Sequence, residues 1–401
     1  MHAHTTSTPP SRDGWPLDTT TDPTLPLSGV RVLDLSRVLA GPLAATVLGD
    51  LGADVIKVES PHGDETRRWG PPFHGDDAAY YLAVNRNRRS VVLDLRGPEG
   101  ADRVRRLVGA CDVVIENFLP GQLARLGLDD LRDASPHAVW VSVRGAAAGG
   151  PLADLPGYDA MAQGRSGLMS VTGHPESGPV KVGVPVVDVV TGLYAAIGAL
   201  GALVGVRDGH DAARVEVPLF ECGVATLVNQ AANHLVGGLV PALLGNGHPN
   251  VVPYGPMPTA DGQIIVGATG ERQFAALCAA VGFEHLPLDA RFATNADRLR
   301  HREELHALLA DVFTGASTRE WRGRLESAGV PCAPVNRVDE VFAEPQISTG
   351  DLVRRIEHPA GWVDVVTSPI TLNGRRPPVR RVPPLLGEHT DELGEPDGPD
   401  S

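Results

Sequence analysis

Asp188 lies where an apolar run meets a helix-like stretch, and its carboxylate is the first candidate for chemistry. The segment VGVPVVDVVTGLYAA begins at Val182 and places small residues after the aspartate. An aspartate at such a junction commonly caps a helix, accepting hydrogen bonds from amides further along, here those of Val190 and Thr191. The helix N-terminus would keep the same carboxylate ionised near neutral pH, ready to attack a thioester and form an acyl-enzyme. Both interpretations stay open at this point.

Asp159, in the segment PGYDAMAQGRSG, is a second carboxylate at a loop-to-helix junction, and its expected role is again capping. Gly183 and Gly192 flank Asp188, and residues without a side chain would let a ligand approach the backbone closely. Lone histidines in loops are expected to be surface groups rather than catalytic bases, and they are His174, His248 and His389. Asp188 therefore remains the leading candidate.

Arginine is concentrated in two stretches, TRR at 66–68 and NRNRRS at 85–90. The planar guanidinium binds phosphate well, but a solvated surface run of charge explains these stretches equally well. The chain of 401 residues carries a formal net charge of −14, and its only lysines are Lys57 and Lys181. This excess of acidic residues argues against a general nucleic-acid-binding protein, so an anionic ligand would need a local basic cluster.

Several common motifs are missing from the sequence. There is no GxxxxGK[ST] phosphate loop, no GxGxxG after the first strand-like run, and no GxSxG or HExxH. The four cysteines are far apart and form no CxxC pair, so the sequence predicts neither a metal site nor a disulfide framework. Reduced thiols in the cytoplasm fit this spacing, and no uninterrupted apolar run of about 18 residues predicts a membrane span. The apolar stretch from about Val189 to Val206 is expected to be a buried helix.

Strand-like runs, nearly all apolar, alternate with helix-like stretches in the first half of the chain. The predicted strands are 30–35, 54–59, 90–95, 112–117 and 138–145. This alternation indicates an α/β fold, with a doubly wound parallel sheet covered by helices on both faces.

The pattern of the sequence changes near Val215, after which strand-like and helix-like segments no longer alternate regularly. We therefore expect a large domain in two parts, interrupted by a smaller α+β domain, with a flexible leader and tail. The expected boundaries are 1–26 for the leader, 27–214 and 331–394 for the large domain, 215–330 for the small domain and 395–401 for the tail.

Six segments, in order from Leu27 to Leu393, resemble the class III CoA-transferases of the CaiB/BaiF type, which include formyl-CoA transferase. They are LDLSRVLAGPLAATVLGDLGADVIKVE, NRNRRSVVLDL, DVVIENFLPGQLARLG, GYDAMAQGRSGLMSVTG, VVDVVTGLYAA and PPLLGEHT. The resemblance implies a Rossmann-like large domain that binds coenzyme A or acyl-CoA as substrate. It also implies an interlocked homodimer in the cytoplasm, with no metal, nucleic-acid or membrane partner.

The resemblance implies that Asp188 is the nucleophile, forming first an aspartyl-acyl anhydride and then an aspartyl-CoA thioester. The implied CoA contacts are Val38, Leu39, Ala40, Leu93, Asp94, Leu95, Arg96, Asn117, Phe118, Leu119 and Arg125, with Leu155 and Tyr158 beside the thioester. Ser60 replaces an arginine that usually follows the KVE motif, so we expect Arg67, Arg68 or Arg86 to make its phosphate contact.

The substrates are implied less directly. Leu39 replaces the glutamine of formyl-CoA transferase, and the glycine-rich loop of that enzyme is shortened here to GNGHPN at 245–250, which argues against formate or oxalate. The sequence looks most like the branch that uses succinyl-CoA as donor and a dicarboxylate as acceptor, such as glutarate or 3-hydroxy-3-methylglutarate. We expect Arg165 or His248 to hold the distal carboxylate, with backbone amides near Asp188 and in the 245–250 loop around Gly247 stabilising oxyanions.

Two alternative functions share some of these sequence features. A 2-methylacyl-CoA racemase would share the fold and the aspartate, but it needs a second acid/base group, a histidine at the position of Tyr158. A phenol is a poor base near neutral pH, which disfavours this alternative. A non-catalytic CoA-binding homologue would have little need of a carboxylate at position 188. Solvent deuterium appearing at the α-carbon of a 2-methylacyl-CoA would favour the racemase, and an aspartyl-CoA thioester would exclude the non-catalytic homologue.

Overall fold

The computed structural model describes residues 14–16 and 18–393. Its strands are β1 (Arg31–Asp34), β2 (Asp54–Glu59), β3 (Phe73–His74), β4 (Asp77–Ala78), β5 (Arg89–Val92), β6 (Val113–Glu116), β7 (Val139–Arg144), β8 (Gly173–His174), β9 (Gly178–Pro179), β10 (Arg214–Pro218), β11 (Tyr254–Pro258), β12 (Gln263–Gly267), β13 (Cys332–Pro334), β14 (Val353–His358) and β15 (Gly361–Val366). Its helices are α1 (Ala40–Asp50), α2 (Ala79–Ala83), α3 (Pro98–Ala110), α4 (Gln122–Arg125), α5 (Asp159–Arg165), α6 (Val186–Arg207), α7 (Leu219–Ala225), α8 (Val228–Gly237), α9 (Glu271–Ala280), α10 (Asn295–Arg300), α11 (Arg302–Phe313), α12 (Thr318–Ser327), α13 (Val338–Ala343) and α14 (Pro345–Thr349).

The described chain divides into two compact units. The first holds the residues up to Leu168, then Val182–Leu227, and those from Gln346 onward, while the second holds Met169–Lys181 and Val228–Pro345. The expected small domain at 215–330 is therefore misplaced at both ends. At the first boundary, β10 is a sheet strand of the first unit, because Val215 pairs with Val141 of β7. At the second, β13 pairs with β12 inside the second unit.

The central sheet of the first unit has six parallel strands in the order β10-β7-β6-β1-β2-β5. The chain moves outward from β1 to β2 and β5, then returns to the other side of β1 with β6, β7 and β10. The strand order therefore reverses between β1 and β6. In open α/β sheets, ligands bind beyond the carboxyl ends of the strands at such a switch point. The predicted parallel α/β sheet is confirmed.

Both faces of this sheet are covered, because successive strand residues point to opposite sides. Val32 and Val113 lie in one buried cluster with residues of α1 and α6. Leu33 and Val114, one position further along each strand, lie in another with residues of α3. This is the doubly wound arrangement that the alternating sequence predicts.

Helices α1 and α6 approach each other at Gly192. A β-carbon built on Gly192 would lie 2.7 Å from the carbonyl oxygen of Ala40, so any side chain there would force the helices apart. Gly192 was expected to let a ligand approach the backbone, and that expectation is wrong, since a neighbouring helix occupies the space. The close packing places the start of α6 beside the start of α1.

Helix α6 is only partly buried, contrary to expectation. Ala195 and Ala199 lie in the core, whereas Ile197 and Val204 are 61% and 58% exposed. The helix is long and apolar enough to cross a bilayer by length and composition alone. Such a helix is equally typical of a packed core, and its buried face lies against α1 and the sheet.

Part of the predicted flexible leader is packed on the first unit. Residues 1–13 and 17 lie outside the described residues, as does the predicted tail at 395–401. The indole Nε1 of Trp15 donates a hydrogen bond to Asp54 Oδ2 (2.6 Å), and Arg381 donates to Asp18 Oδ1 (2.8 Å). The described part of the leader thus makes several polar contacts with distant residues of the first unit.

The segment from 346 onward also returns to the first unit, where it meets residues near β5. The amide of Asn87 donates to the carbonyl of Arg381 (2.9 Å), and the amide of His389 donates to that of Ser90 (2.9 Å). Arg89 pairs with Glu392 across the same contact (2.8 Å).

The second unit combines an antiparallel sheet, in the order β11-β12-β13, with helices α9 to α12. Its core is aromatic, with Phe274, Phe292 and Phe313 almost fully buried and the rings of Phe313 and Trp321 centred 4.6 Å apart. The hairpin of β8 and β9 belongs to this unit, and Gly245 donates its amide to the carbonyl of Gly173 (2.9 Å).

Candidate active site

A cavity of about 160 Å³ lies at the switch point of the sheet, and we call it the Asp188 cavity. Its walls come from the loop after β1, the loop after β6, the 153–158 loop and the first turn of α6. Among the sequence-predicted site residues, those that line it are Val38, Leu39, Ala40, Asn117, Phe118, Leu119, Leu155, Tyr158 and Asp188. The fold thus brings together residues up to 150 positions apart in the sequence.

Asp188 does not cap its own helix. Helix α6 begins at Val186, so Asp188 lies in its first turn. The N-cap residue, Pro185, makes no side-chain capping hydrogen bond. Asp159 caps it instead, because its Oδ1 accepts the amides of Val187 (2.9 Å) and Asp188 (3.3 Å). Asp159 thus has the capping role expected of it, but on α6. The Asp188 carboxylate is left to face the cavity.

The protonation of Asp188 also differs from expectation. Burial raises the pKa of its carboxyl group to about 7, and the negative charge of Asp159 adds to this rise. The sequence interpretation assumed that the helix N-terminus would keep Asp188 ionised. Desolvation and the neighbouring carboxylate outweigh it, so near pH 7 about half of the Asp188 groups are neutral.

Substrate attack through Asp188 should therefore depend on pH. A nucleophilic carboxylate must be ionised, so kcat/KM should rise with pH below about 7 and level off above it. Asp159→Asn removes the repelling charge but keeps an oxygen that can accept the two amides. The rising limb of the pH profile should therefore move to lower pH. The pKa of Asp188 should still exceed that of an ordinary aspartate, because the side chain remains buried.

The measurement is kcat/KM against pH for the wild type and the Asp159→Asn variant. Asp154→Asn is a matched control, since Asp154 is exposed on the same loop and does not line the cavity. An unchanged limb in Asp159→Asn, or an equal shift in the control, would contradict the assigned electrostatic effect of Asp159.

Residues at the start of α1 also line the Asp188 cavity. Val38 has a φ of 72°, a left-handed conformation that is costly for a β-branched residue. Its amide donates to the carboxylate of Asp64 (3.3 Å), which helps hold the turn. Leu39, the N-cap residue, makes no side-chain cap hydrogen bond. The start of α1 at Ala40, the positive end of its dipole, therefore lines the cavity without a side-chain cap from Leu39.

A second cavity, of about 360 Å³, adjoins the first, and we call it the Arg96 cavity. Leu93, Asp94, Leu95 and Arg96 line it, as do Phe118 and the side chains around Ser60. Arg37, Glu65 and Phe118 line both cavities. The predicted CoA contacts thus lie in two cavities that share a wall.

Arg86 and Arg67 cannot make the expected phosphate contact. The guanidinium of Arg86 is buried and binds both carboxylate oxygens of Asp50 (2.9 and 2.5 Å). Arg67 is also buried, with Glu59 at 2.6 Å and Asp77 at 2.9 Å. The buried side chains of the 85–90 stretch are structural, so the prediction of Arg86 as a ligand is wrong.

The remaining predicted residues lie outside both cavities. Arg125 is exposed at the last position of α4. Arg165 lines a separate cavity of about 210 Å³ with Met161 and Phe220. Gly247 and His248 belong to the second unit, where the ring of His248 lies 5.2 Å from that of Tyr254 and its Nδ1 accepts the amide of Asn250 (3.1 Å).

Four side chains near Asp188 were missed by the sequence analysis. Arg37, Glu65 and Arg144 line its cavity. Burial raises the pKa of the Tyr80 phenol to about 12, and the charge of nearby Asp188 adds to the rise. Arg37 directly precedes the predicted contact Val38, which was a usable signal. The other three have no signal in sequence spacing, because only folding brings them near the site.

Comparisons with known proteins identify the family of this chain. Residues 27–390 match the sequence profile of CoA-transferase family III. The succinyl-CoA:glutarate CoA-transferase of Homo sapiens is 40% identical over 372 residues, 92% of this chain and 85% of that protein. The succinate–glutarate CoA-transferase of Agrobacterium fabrum is 42% identical over 378 residues, 92% of this chain and 94% of that protein.

A crystal structure of a CAIB/BAIF family protein from Brucella suis has a TM-score of 0.81 and 41% sequence identity, covering 92% of this chain and 98% of that one. The family resemblance of the six sequence segments is thereby confirmed. The chain belongs to CoA-transferase family III and is a class III CoA-transferase.

Proposed function

We propose that this enzyme transfers coenzyme A from succinyl-CoA to a dicarboxylate such as glutarate, with Asp188 as covalent nucleophile. The observation that carries the proposal is the placement of the Asp188 carboxylate in a cavity at the switch point, which the start of α1 also lines. The names of the human and Agrobacterium relatives, both at 40% identity or more, support succinyl-CoA and glutarate as the substrates.

In the proposed reaction, the Asp188 carboxylate attacks the thioester carbonyl of the donor. The C–S bond breaks, CoA leaves as thiolate, and an aspartyl-acyl anhydride remains. The thiolate then attacks the aspartyl carbonyl, which releases the donor acid as a carboxylate and gives an aspartyl-CoA thioester. The acceptor carboxylate attacks this thioester and expels the thiolate again. The thiolate finally attacks the acceptor carbonyl, giving the new acyl-CoA and restoring the Asp188 carboxylate.

Two features of the site serve this sequence. The pKa of Asp188, near 7, keeps a usable ionised fraction and makes the carboxylate more basic than an ordinary aspartate. Each step passes through a tetrahedral oxyanion, and the start of α1, the positive end of its dipole, lines the cavity at Ala40. The amides of Val187 and Asp188 do not serve this purpose, because both donate to Asp159.

A panel of acceptor acids tests the substrate proposal. Purified enzyme is assayed with succinyl-CoA and either glutarate or valerate, which have the same chain length but differ in the distal carboxylate. A site that binds the distal carboxylate should favour glutarate by about 10²-fold or more in kcat/KM. Equal rates with valerate would contradict a dicarboxylate acceptor. Absence of any CoA transfer from succinyl-CoA would contradict the donor.

We also propose that the enzyme works as a homodimer in the cytoplasm. The exposed apolar side chains on α6 support this, since a soluble monomer rarely exposes such a stripe. They are Leu193, Tyr194, Ile197 and Val204. Light scattering should give twice the chain mass of 42.2 kDa. A monomer at micromolar concentration would contradict the dimer.

A further inference from the structure

Arg37 lies where the Asp188 cavity meets the Arg96 cavity, since it lines both. Its backbone is anchored by Asn117, whose side-chain amide accepts the N–H of Arg37 (3.0 Å) and donates to its carbonyl (2.8 Å). Its Nη1 lies 3.0 Å from Glu65, and both side chains remain partly exposed, at 46% and 39%. A surface pair of this kind contributes about 1 kcal/mol or less, so Arg37 stays available to a ligand.

Exposed positive charges outnumber exposed negative charges in the Arg96 cavity. Lys57 and Glu59 are buried and neutralised, Lys57 by Asp64 (2.9 Å) and Glu59 by Arg67 (2.6 Å). Arg68 and Arg96 are exposed, and within residues 14–16 and 18–393 neither forms an ion pair with a carboxylate. Asp94, the other exposed acid there, accepts the backbone N–H of Arg96 (3.1 Å). Three guanidinium groups thus face two exposed carboxylates in this cavity.

Arg68 is well placed among the three. It ends the 3-10 turn Glu65–Arg68, and its Nη1 donates to the carbonyl of His62 (2.6 Å) across the loop that contains Ser60. Arg68 and His62 both line the Arg96 cavity. The side chain keeps further N–H donors, which suit the oxygens of a phosphate group.

We infer that Arg68 binds a phosphate group of coenzyme A, with Arg37 and Arg96 beside it, and so supplies the contact that Ser60 does not make. The inference rests on the proposed function. A thioester whose carbonyl meets Asp188 must extend past Arg37 into the adjoining cavity, where its phosphates meet Arg68 and Arg96. Arg67 and Arg86 are excluded because each is buried in an ion pair.

The test compares Arg68→Gln with the wild type by calorimetric titration of coenzyme A and of pantetheine, which lacks the phosphates. The variant should bind coenzyme A about tenfold more weakly or worse, because a charge-assisted contact is lost, and should bind pantetheine as the wild type does. In turnover, KM for acyl-CoA should rise with kcat nearly unchanged. Arg355→Gln is the matched control, since Arg355 is an exposed residue of β14 that pairs with Asp364 outside both cavities.

Titration of 3′-dephospho-CoA then identifies the phosphate. If the weakening by Arg68→Gln disappears with this ligand, Arg68 binds the 3′-phosphate, and if it persists, Arg68 binds the diphosphate. Both results support the inference. Wild-type affinity of Arg68→Gln for coenzyme A, or an equal loss of pantetheine binding, overturns it. Failure of the wild-type enzyme to bind coenzyme A would instead overturn the proposed function.

Discussion

Replacement of Asp188 by Asn or Ala is expected to abolish CoA transfer while leaving the protein folded. Neither side chain can form an anhydride or a thioester, so kcat should fall by about 10⁴-fold or more, as for other lost nucleophiles. The fold should persist because the carboxylate is costly where it lies, as its pKa of about 7 indicates. Its removal therefore leaves no buried partner charge behind.

Trapping of the aspartyl-CoA thioester provides the decisive measurement. Wild-type enzyme incubated with acyl-CoA and hydroxylamine should lose activity, and peptide mass analysis should place the hydroxamate on Asp188. The Asn variant should stay unmodified while binding coenzyme A with wild-type affinity. Turnover of the Asn variant at the parent rate, or a hydroxamate on Asp159, would show that the wrong carboxylate has been assigned.

Arg88→Met is expected to lower the free energy of unfolding by about 3–5 kcal/mol, since it removes one member of a buried ion pair. The side chain of Arg88 is fully buried, and its Nη1 lies 2.6 Å from Asp34 Oδ2. Its Nη2 donates to the carbonyl of Pro42 (2.6 Å) and to Thr46 Oγ1 (2.5 Å). Methionine fills similar space but removes the cation closest to Asp34, which keeps only the hydrogen bonds from Ser36 and Lys57 at 3.9 Å.

Urea unfolding followed by tryptophan fluorescence measures this effect. Arg68→Gln, an exposed arginine of the same unit, is the control and should change stability by less than about 0.5 kcal/mol. Adding Asp34→Asn to Arg88→Met should recover part of the loss, because the buried carboxylate that lost its closest cation is then neutral. A wild-type midpoint for Arg88→Met would mean that the buried pair is not a stabilising element of the core.

The sequence was informative where local pattern determines structure. The run DVIKVE forms β2 over the predicted residues, because apolar residues buried on both faces leave little choice of element. The predicted contacts around Val38 and Asn117 meet at one cavity because both follow the carboxyl ends of neighbouring parallel strands. The choice of Asp188 as the reactive side chain agrees with its position in that cavity.

Sequence reasoning failed where distant side chains compensate one another. The stretch NRNRRS looks like a solvated basic run, yet Arg88 is buried because Asp34, 54 positions earlier, neutralises it. Likewise, the residue that caps α6 is Asp159, which lies 28 positions before Val187 and so is not adjacent to the helix in the sequence. The protonation of Asp188 follows from burial, which is a property of tertiary packing.

The return of residues 381–392 to β5 has a consequence for synthesis on the ribosome. Ser90 and His389 are 299 positions apart, so the ribosome releases the partner of β5 long after β5 itself. Until then, the buried arginines of the 85–90 stretch lack contacts that the finished protein supplies, such as Glu392 for Arg89. The first unit therefore cannot complete its contacts around β5 until the whole of the second unit has been translated.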